Sequence, residues 1–348
     1  MSRHGQPPGW RGQRAEAIVR PAPRQADLLR RVLAGEEAGR PPVFFTGGSW
    51  VGRLSGFTRD RLLSDAAALA EAQLRVHEMV GQDALLAYFD PLFIPEAYGC
   101  PLRFRETGPL TTPISFDEFR RRSPGVDEGR LPVVLEAVSR LSAYAAGRIP
   151  VGTLIEGPFT TLSRIVDAQV LLRCTITQPA AVEAALERVH DVLLRFAQAA
   201  AAAGAGFLFV ADPVTSASVI SPRMYRRFAL PALQRLAAAV PIPVFLHICG
   251  DTSAILPLMA ETGAAALSLD QCMDLRGARA LVGEDCILAG NVDPVTLSLG
   301  SPAEVARATQ TVLAAGGRRA FVVMPGCGIP PEAPLENVAA MVRVVQEA

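Results

Sequence analysis

The chain has 348 residues, with 34 Lys and Arg balanced by 34 Asp and Glu, and half of its residues are apolar, giving a mean hydropathy of +0.26. Zero net charge supplies no global field to draw in nucleic acid or an anionic membrane, so the expected ligand is small or is carried by another protein. Six cysteines are too few for a disulfide scaffold. No N-terminal apolar run precedes a cleavage site, and the longest uncharged apolar stretch, 199–211, falls short of the ~20 residues that cross a bilayer; the expectation is a cytoplasmic chain with no membrane segment.

Residues 1–25 are rich in Arg, Pro, Gly and Gln and read as a disordered tail, with a transit-peptide-like composition as the alternative. Residues 26–348 read as one domain. From Pro42 onward, short β-rich apolar runs alternate with helical patterns, at 43–46, 84–90, 151–156, 207–212, 244–249, 266–270, 287–291 and 320–324. Most are apolar throughout, as parallel strands buried on both faces require. Ser221-Pro222 and Ser301-Pro302 place a capping residue before a proline at the first helical position, and Glu304 completes a capping box with Ser301. Eight strand-then-helix units with no glycine-rich dinucleotide or phosphate fingerprint predict an α/β chain folded as a single (β/α)₈ TIM barrel. The segment 95–150 is too long for one crossover and reads as an insertion over the barrel mouth, its Arg120-Arg121-Arg122 run forming a solvated face. The loop 47–53 is expected to share the substrate cavity with it.

Barrels place chemistry at the C-terminal ends of their strands, and here those ends are polar: Asp90, Glu156, Asp212, His247 to Asp251, Asp270, Asn291 with Asp293, and Cys327 between two glycines. Residues two apart in a strand share a side, so His247 and Cys249 can face one cation, and the glycines around Cys327 let the backbone bring its sulfur to the same centre. Two thiolates and an imidazole suit tetrahedral Zn²⁺ with a fourth position open for chemistry. The competing reading makes His247 a hydrogen-bonded core histidine and the cysteines buried hydrophobes. Cys249 as a lone reactive thiol lacks a nearby base, since His77 and His190 fall in helical patterns. Cys100, Cys174 and Cys286 read as structural, and Cys272 is an outside candidate for the fourth position.

The stretches HICGDTSAILPLMAETGA, LAGNVDPV and MPGCGIPPEAPLENVAAMV resemble the uroporphyrinogen decarboxylase superfamily, and within it the methylcobamide:thiol methyltransferase branch, with GGSWVGRLSG and EGPFT extending the resemblance over nearly the whole chain. It implies zinc on His247, Cys249 and Cys327, a thiol acceptor such as coenzyme M, and a methylated corrinoid (cobalamin-type) donor held by a partner protein. It also implies an acid at the end of the sixth strand, here Asp270, as a fourth ligand that leaves when the thiol arrives; aspartate stands where relatives carry the longer glutamate. Asp251 beside the His-x-Cys pair is read as orienting a ligand. Asp212, Asn291 and Asp293 are assigned to polar groups of the bound substrate or cofactor, or to the barrel loops. Two other functions use the same fold: decarboxylation of a tetrapyrrole, which needs arginines near the first strand where this chain offers mainly Arg53, and a non-catalytic corrinoid-binding barrel.

Overall fold

The computed structural model describes residues 28–105 and 108–348, and the tail expected over 1–25 lies outside them. Its strands are β1 (Leu85–Leu86), β2 (Leu102–Arg105), β3 (Gly108–Thr111), β4 (Val151–Glu156), β5 (Phe207–Ala211), β6 (Val244–Ile248), β7 (Ala266–Leu269), β8 (Ile287–Val292) and β9 (Phe321–Pro325). All but β2 and β3 form one parallel sheet in the order β1, β4, β5, β6, β7, β8, β9. The segment 42–46 bridges its two edges. Val43 pairs in parallel with Val323 of β9, Val323 N–H donates to Pro42 O at 2.9 Å, and on the other side Asp83 N–H donates to Val43 O at 2.7 Å. The result is the (β/α)₈ barrel expected from the sequence.

The first of the eight predicted runs is reduced to this bridge because Pro41 and Pro42 have no N–H to donate, and the chain turns at Gly47 into the helix Gly48–Ser55. The second shrinks to Leu85–Leu86, since Tyr88 N–H bonds back to Leu86 O at 3.0 Å. The later six lie within one or two residues of expectation. Helix punctuation follows the sequence too: Ser221 Oγ accepts from Met224 N–H, and Ser301 with Glu304 forms a reciprocal capping box.

Strand side chains alternate between two apolar layers. Phe44, Leu154, Phe207, Phe209, Phe245, Ala289 and Val322 fill the barrel interior, joined by Leu28, Leu29 and Val32 of the helix Leu28–Leu33. Their neighbours Leu208, Val210, Leu246, Ile248 and Leu267 point outward under the helices. Phe44, Phe207 and Phe245 meet edge to face with centroids 5.3–5.5 Å apart, each pair adding about 0.5–1.5 kcal/mol beyond area burial. This aromatic layer is the floor beneath the mouth.

Between β1 and β4 the chain forms the helix Phe93–Ala97, an antiparallel hairpin of β2 and β3, the helix Phe116–Arg121 and the returning helix Leu131–Ala145. The hairpin docks on the helix Pro158–Ile165: Thr111 Oγ donates to Arg164 O and Ile114 N–H to Ile165 O, both at 2.8 Å. Arg130 closes the segment with a bidentate pair to Asp90, at 2.7 and 3.1 Å, and a contact to Glu96. Arg120, Arg121 and Arg122 are exposed, as a solvated face should be.

Candidate metal centre

His247 lies on β6 with the inward-facing Phe245 two residues before it, so alternation turns its ring into the mouth, tilted against Phe209 at a centroid distance of 6.0 Å. Its Nδ1 lies 3.2 Å from Ser268 O and 3.1 Å from Ser268 Oγ on the paired strand β7. A carbonyl only accepts, so Nδ1 carries the proton and Nε2 presents its lone pair to the mouth. After Cys249, Gly250 turns the chain at φ +81°. Cys327 follows β9 across Gly326, where any Cβ would stand 2.3 Å from Gln271 N; only glycine lets the two strand ends approach so closely. The loop beyond Cys327 is tied down by Ile329 N–H to Thr46 O, and by Trp50 Nε1 and Arg53 Nη2 to Ala333 O, all at 2.8 Å. The helix Gly48–Ser55, which stands where the sequence suggested a loop over 47–53, therefore braces the Cys327 loop.

The ligand atoms of His247, Cys249 and Cys327 lie within 4.8 Å of one another. Cys249 Sγ is 3.2 Å from His247 Nε2 and 3.7 Å from Cys327 Sγ. Tetrahedral Zn²⁺ with bonds of about 2.3 Å to sulfur and about 2.0 Å to nitrogen needs sulfur–sulfur edges of about 3.8 Å and nitrogen–sulfur edges of about 3.5 Å. The sulfur pair already stands at that spacing, and the donor set fits the ion. Hydrogen bonding between the two thiols draws the Cys327 pKa well down and, with burial, drives that of Cys249 far up. One negative charge is easily held there; a second needs a cation.

The other assigned residues occupy distinct places. Asp270 is buried beside the centre but outside the three-ligand set: its Oδ2 accepts from Gly250 N–H at 2.8 Å and its Oδ1 from Cys272 N–H at 3.0 Å. Asn291 donates from Nδ2 to Asp270 O and Met273 O, at 2.9 and 2.8 Å, fixing the backbone that carries Asp270. Asp251 is exposed at the rim, where hydrogen bonding from the Ser253 hydroxyl and then from its N–H lowers the Asp251 pKa. Asp293 caps the helix Pro294–Leu299. Asp212 follows the inward Ala211 and turns outward, accepting from Thr160 N–H at 2.9 Å with its Oδ2 buried and unpartnered; burial raises its pKa to about 6. Cys272 is exposed, and its sulfur is outside the ligand set.

The sequence left two features unassigned: the partner of the His247 ring, and the role of Glu156, which it gave only as a polar strand end. Ser268 is the partner of the His247 ring, and the register of β6 against β7 is what reveals it. Glu156 is buried at the end of β4 and held by Arg164, with Nε at 3.1 Å from Oε1 and Nη2 at the same distance. Burial pushes its pKa up to about 7 against the pull of Arg164.

Residues 24–348 match the family described as uroporphyrinogen decarboxylase (URO-D). A methylated-thiol–coenzyme M methyltransferase of Methanosarcina mazei is 33% identical over 81% of this chain and 77% of its own length. A uroporphyrinogen decarboxylase of Thermus thermophilus is 31% identical over 92% of this chain and 98% of its own. The solved structure of a methyltransferase from M. mazei superposes with a TM-score of 0.86 at 30% identity, covering 93% of this chain and 98% of that one. With the family matched over nearly all its length, and with the fold and sequence of a solved methyltransferase, the chain belongs to the uroporphyrinogen decarboxylase (URO-D) family and stands with its methyltransferase branch.

Proposed function

We propose that this chain is a zinc-dependent methyltransferase that moves a methyl group from a methylated corrinoid to a small thiol activated as a thiolate. The observation that carries this reading is the convergence of His247 Nε2, Cys249 Sγ and Cys327 Sγ within 4.8 Å at the barrel mouth. Identity alone separates the methyltransferase and decarboxylase relatives poorly, at 33% and 31%. The soft donor set of this chain favours the methyltransferase reading, because tetrapyrrole decarboxylation asks for arginines that grip carboxylates. Arg53 instead spends its guanidinium on the carbonyls of Pro331 and Ala333.

Zinc held by these three residues would lower the pKa of an acceptor thiol from about 8.5 and keep its sulfur as a nucleophile at neutral pH. The chain's own residues supply the rest. Ser268 fixes the His247 tautomer and ring plane, and Asp270, anchored through Asn291, holds the turn after Cys249. Asp270 is the candidate for the fourth position, and its bonds from Gly250 and Cys272 N–H compete with ligation and suit a ligand that is readily given up. The acceptor is coenzyme M or a similar thiol, the donor a corrinoid on a partner protein, and Asp251 stands open at the rim to meet one of them. No helix among the described residues is long and apolar enough to cross a membrane, and a cytoplasmic site of action fits that.

The test supplies methylcobalamin with 2-mercaptoethanesulfonate or homocysteine to zinc-loaded and metal-stripped protein. Methylated thiol formed only by the loaded protein is the expected result. Failure with every thiol, together with decarboxylation of a tetrapyrrole by the metal-stripped protein, returns the chain to the decarboxylase reading.

A further inference from the structure

Six carboxylates stand at the C-terminal ends of the barrel strands, and five of them brace backbone. Asp90 accepts from Leu92 N–H, Asp212 from Thr160, Asp251 from Ser253, Asp270 from Gly250 and Cys272, and Asp293 from Val295 and Thr296. Among the described residues the Glu156 carboxylate takes no backbone donor, only Arg164. It also faces the right way. Leu154 lies in the interior layer, so alternation along β4 turns Glu156 into the mouth, where it sits on the same ladder row as the metal-ligand candidate: Glu156 pairs with Ala211, and Ala211 with His247. Two strand spacings of about 4.8 Å separate those backbones, a span that one small ligand in the mouth bridges.

We infer that Glu156 accepts the proton of the thiol substrate. As the thiol ligates the metal its S–H bond breaks, the sulfur keeps the electron pair, and the proton passes to the Glu156 carboxylate. The inference rests on the thiol reading above. Glu156 suits the task because burial, with Asp212 after β5 and Asp90 after β1, raises its pKa, while Arg164 on the following helix lowers it; the balance leaves it at about 7. The further charge around Asp90 is Arg130, which pairs with it. An acceptor near neutrality takes a proton from the thiol, keeps it while the thiolate is bound, and releases it to solvent once the thiolate has left. The Arg164 side chain, 42% exposed over a Glu156 side chain that is 4% exposed, marks the solvent side of that path.

The experiment measures protons released when zinc-loaded protein binds 2-mercaptoethanesulfonate, from calorimetry in buffers of different ionisation enthalpy, with zinc-edge absorption on the same samples to read sulfur ligation. At pH 7.5 Glu156→Gln should ligate the thiol and release more protons than the unaltered protein, by up to about one per thiol, and the difference should vanish near pH 5.5, where Glu156 is already protonated. Arg164→Met, which raises the Glu156 pKa, should move the release toward that of Glu156→Gln. In metal-free protein an infrared carboxyl band titrating near neutrality should be present and be lost in Glu156→Gln. Equal proton release with intact ligation overturns the role of Glu156 and leaves the methyltransferase reading standing. Absence of thiol ligation in the unaltered protein removes both.

Discussion

The two arcs of the barrel mouth are built on different chemistry. On the arc of β6 and β9 the side chains are soft donors whose ligand atoms meet one another, and backbone holds them only from behind, through Ser268 and the Cys327 loop. On the arc of β1, β4 and β5 the side chains are acids, tied to arginines or to neighbouring N–H groups. Both arcs stand above the same aromatic layer and on the same parallel strands. The difference teaches where binding is expected: two thiolates 3.7 Å apart are stable only with a cation between them, whereas a carboxylate held by an N–H group and an arginine, as Asp90 is by Leu92 and Arg130, needs nothing more.

The sharpest way to break the comparison is to remove a soft donor. Cys327→Ala should lose stoichiometric zinc and drop thiol methylation to background while circular dichroism keeps the barrel's signal, since the side chain is only half-buried. Phe245→Ala attacks the shared floor instead. It should cost about 3–5 kcal/mol in denaturant unfolding and leave the metal content of the folded fraction unchanged.

Glu156→Gln sharpens the carboxylate side through pH. Burial makes the ionised carboxylate costly, so the folded protein binds this proton more tightly than the unfolded chain, and the contribution to stability falls as pH rises from about 4.5 through about 7. The variant should therefore be more stable than the unaltered protein at pH 8, by up to about 3 kcal/mol, and equal to it at pH 4. Equal stabilities at both values would show that Glu156 is not held protonated by its surroundings. Asp270→Asn should have the smallest effect on the fold, about 1–2 kcal/mol, because one of its two backbone bonds survives. Its zinc should bind some 10–100-fold more weakly with the His, Cys and Cys shell intact. Loss of one oxygen from the resting shell would instead make Asp270 a ligand.

The barrel was legible because buried parallel strands leave near-continuous apolar runs, and the six runs from 151 onward reappear as strands. The runs at 43–46 and 84–90 promised more pairing than Pro41, Pro42 and the turn at Tyr88 allow. The hairpin of β2 and β3 left no such trace, because it is short, carries Pro109 and is anchored by the distant helix Pro158–Ile165. At the mouth, the spacing of His247 and Cys249 and the glycines around Cys327 pointed to one centre, and the side chains meet there. Asp251 before Ser253 and Asp293 before Pro294 carried local turn and cap signals, and both carboxylates make those bonds. Glu156 with Arg164 and Asp90 with Arg130 depend on which strand ends and helices the closed barrel brings together, and no local pattern announces that.

The most direct test of the account is zinc content and zinc-edge X-ray absorption on the purified protein, before and after adding 2-mercaptoethanesulfonate. One zinc per chain, in a shell of two sulfurs and one nitrogen plus a light atom that becomes three sulfurs and one nitrogen with the thiol, is the result the His247, Cys249 and Cys327 geometry predicts. A chain that purifies and refolds without stoichiometric metal, or a zinc shell that ignores the thiol, would contradict it.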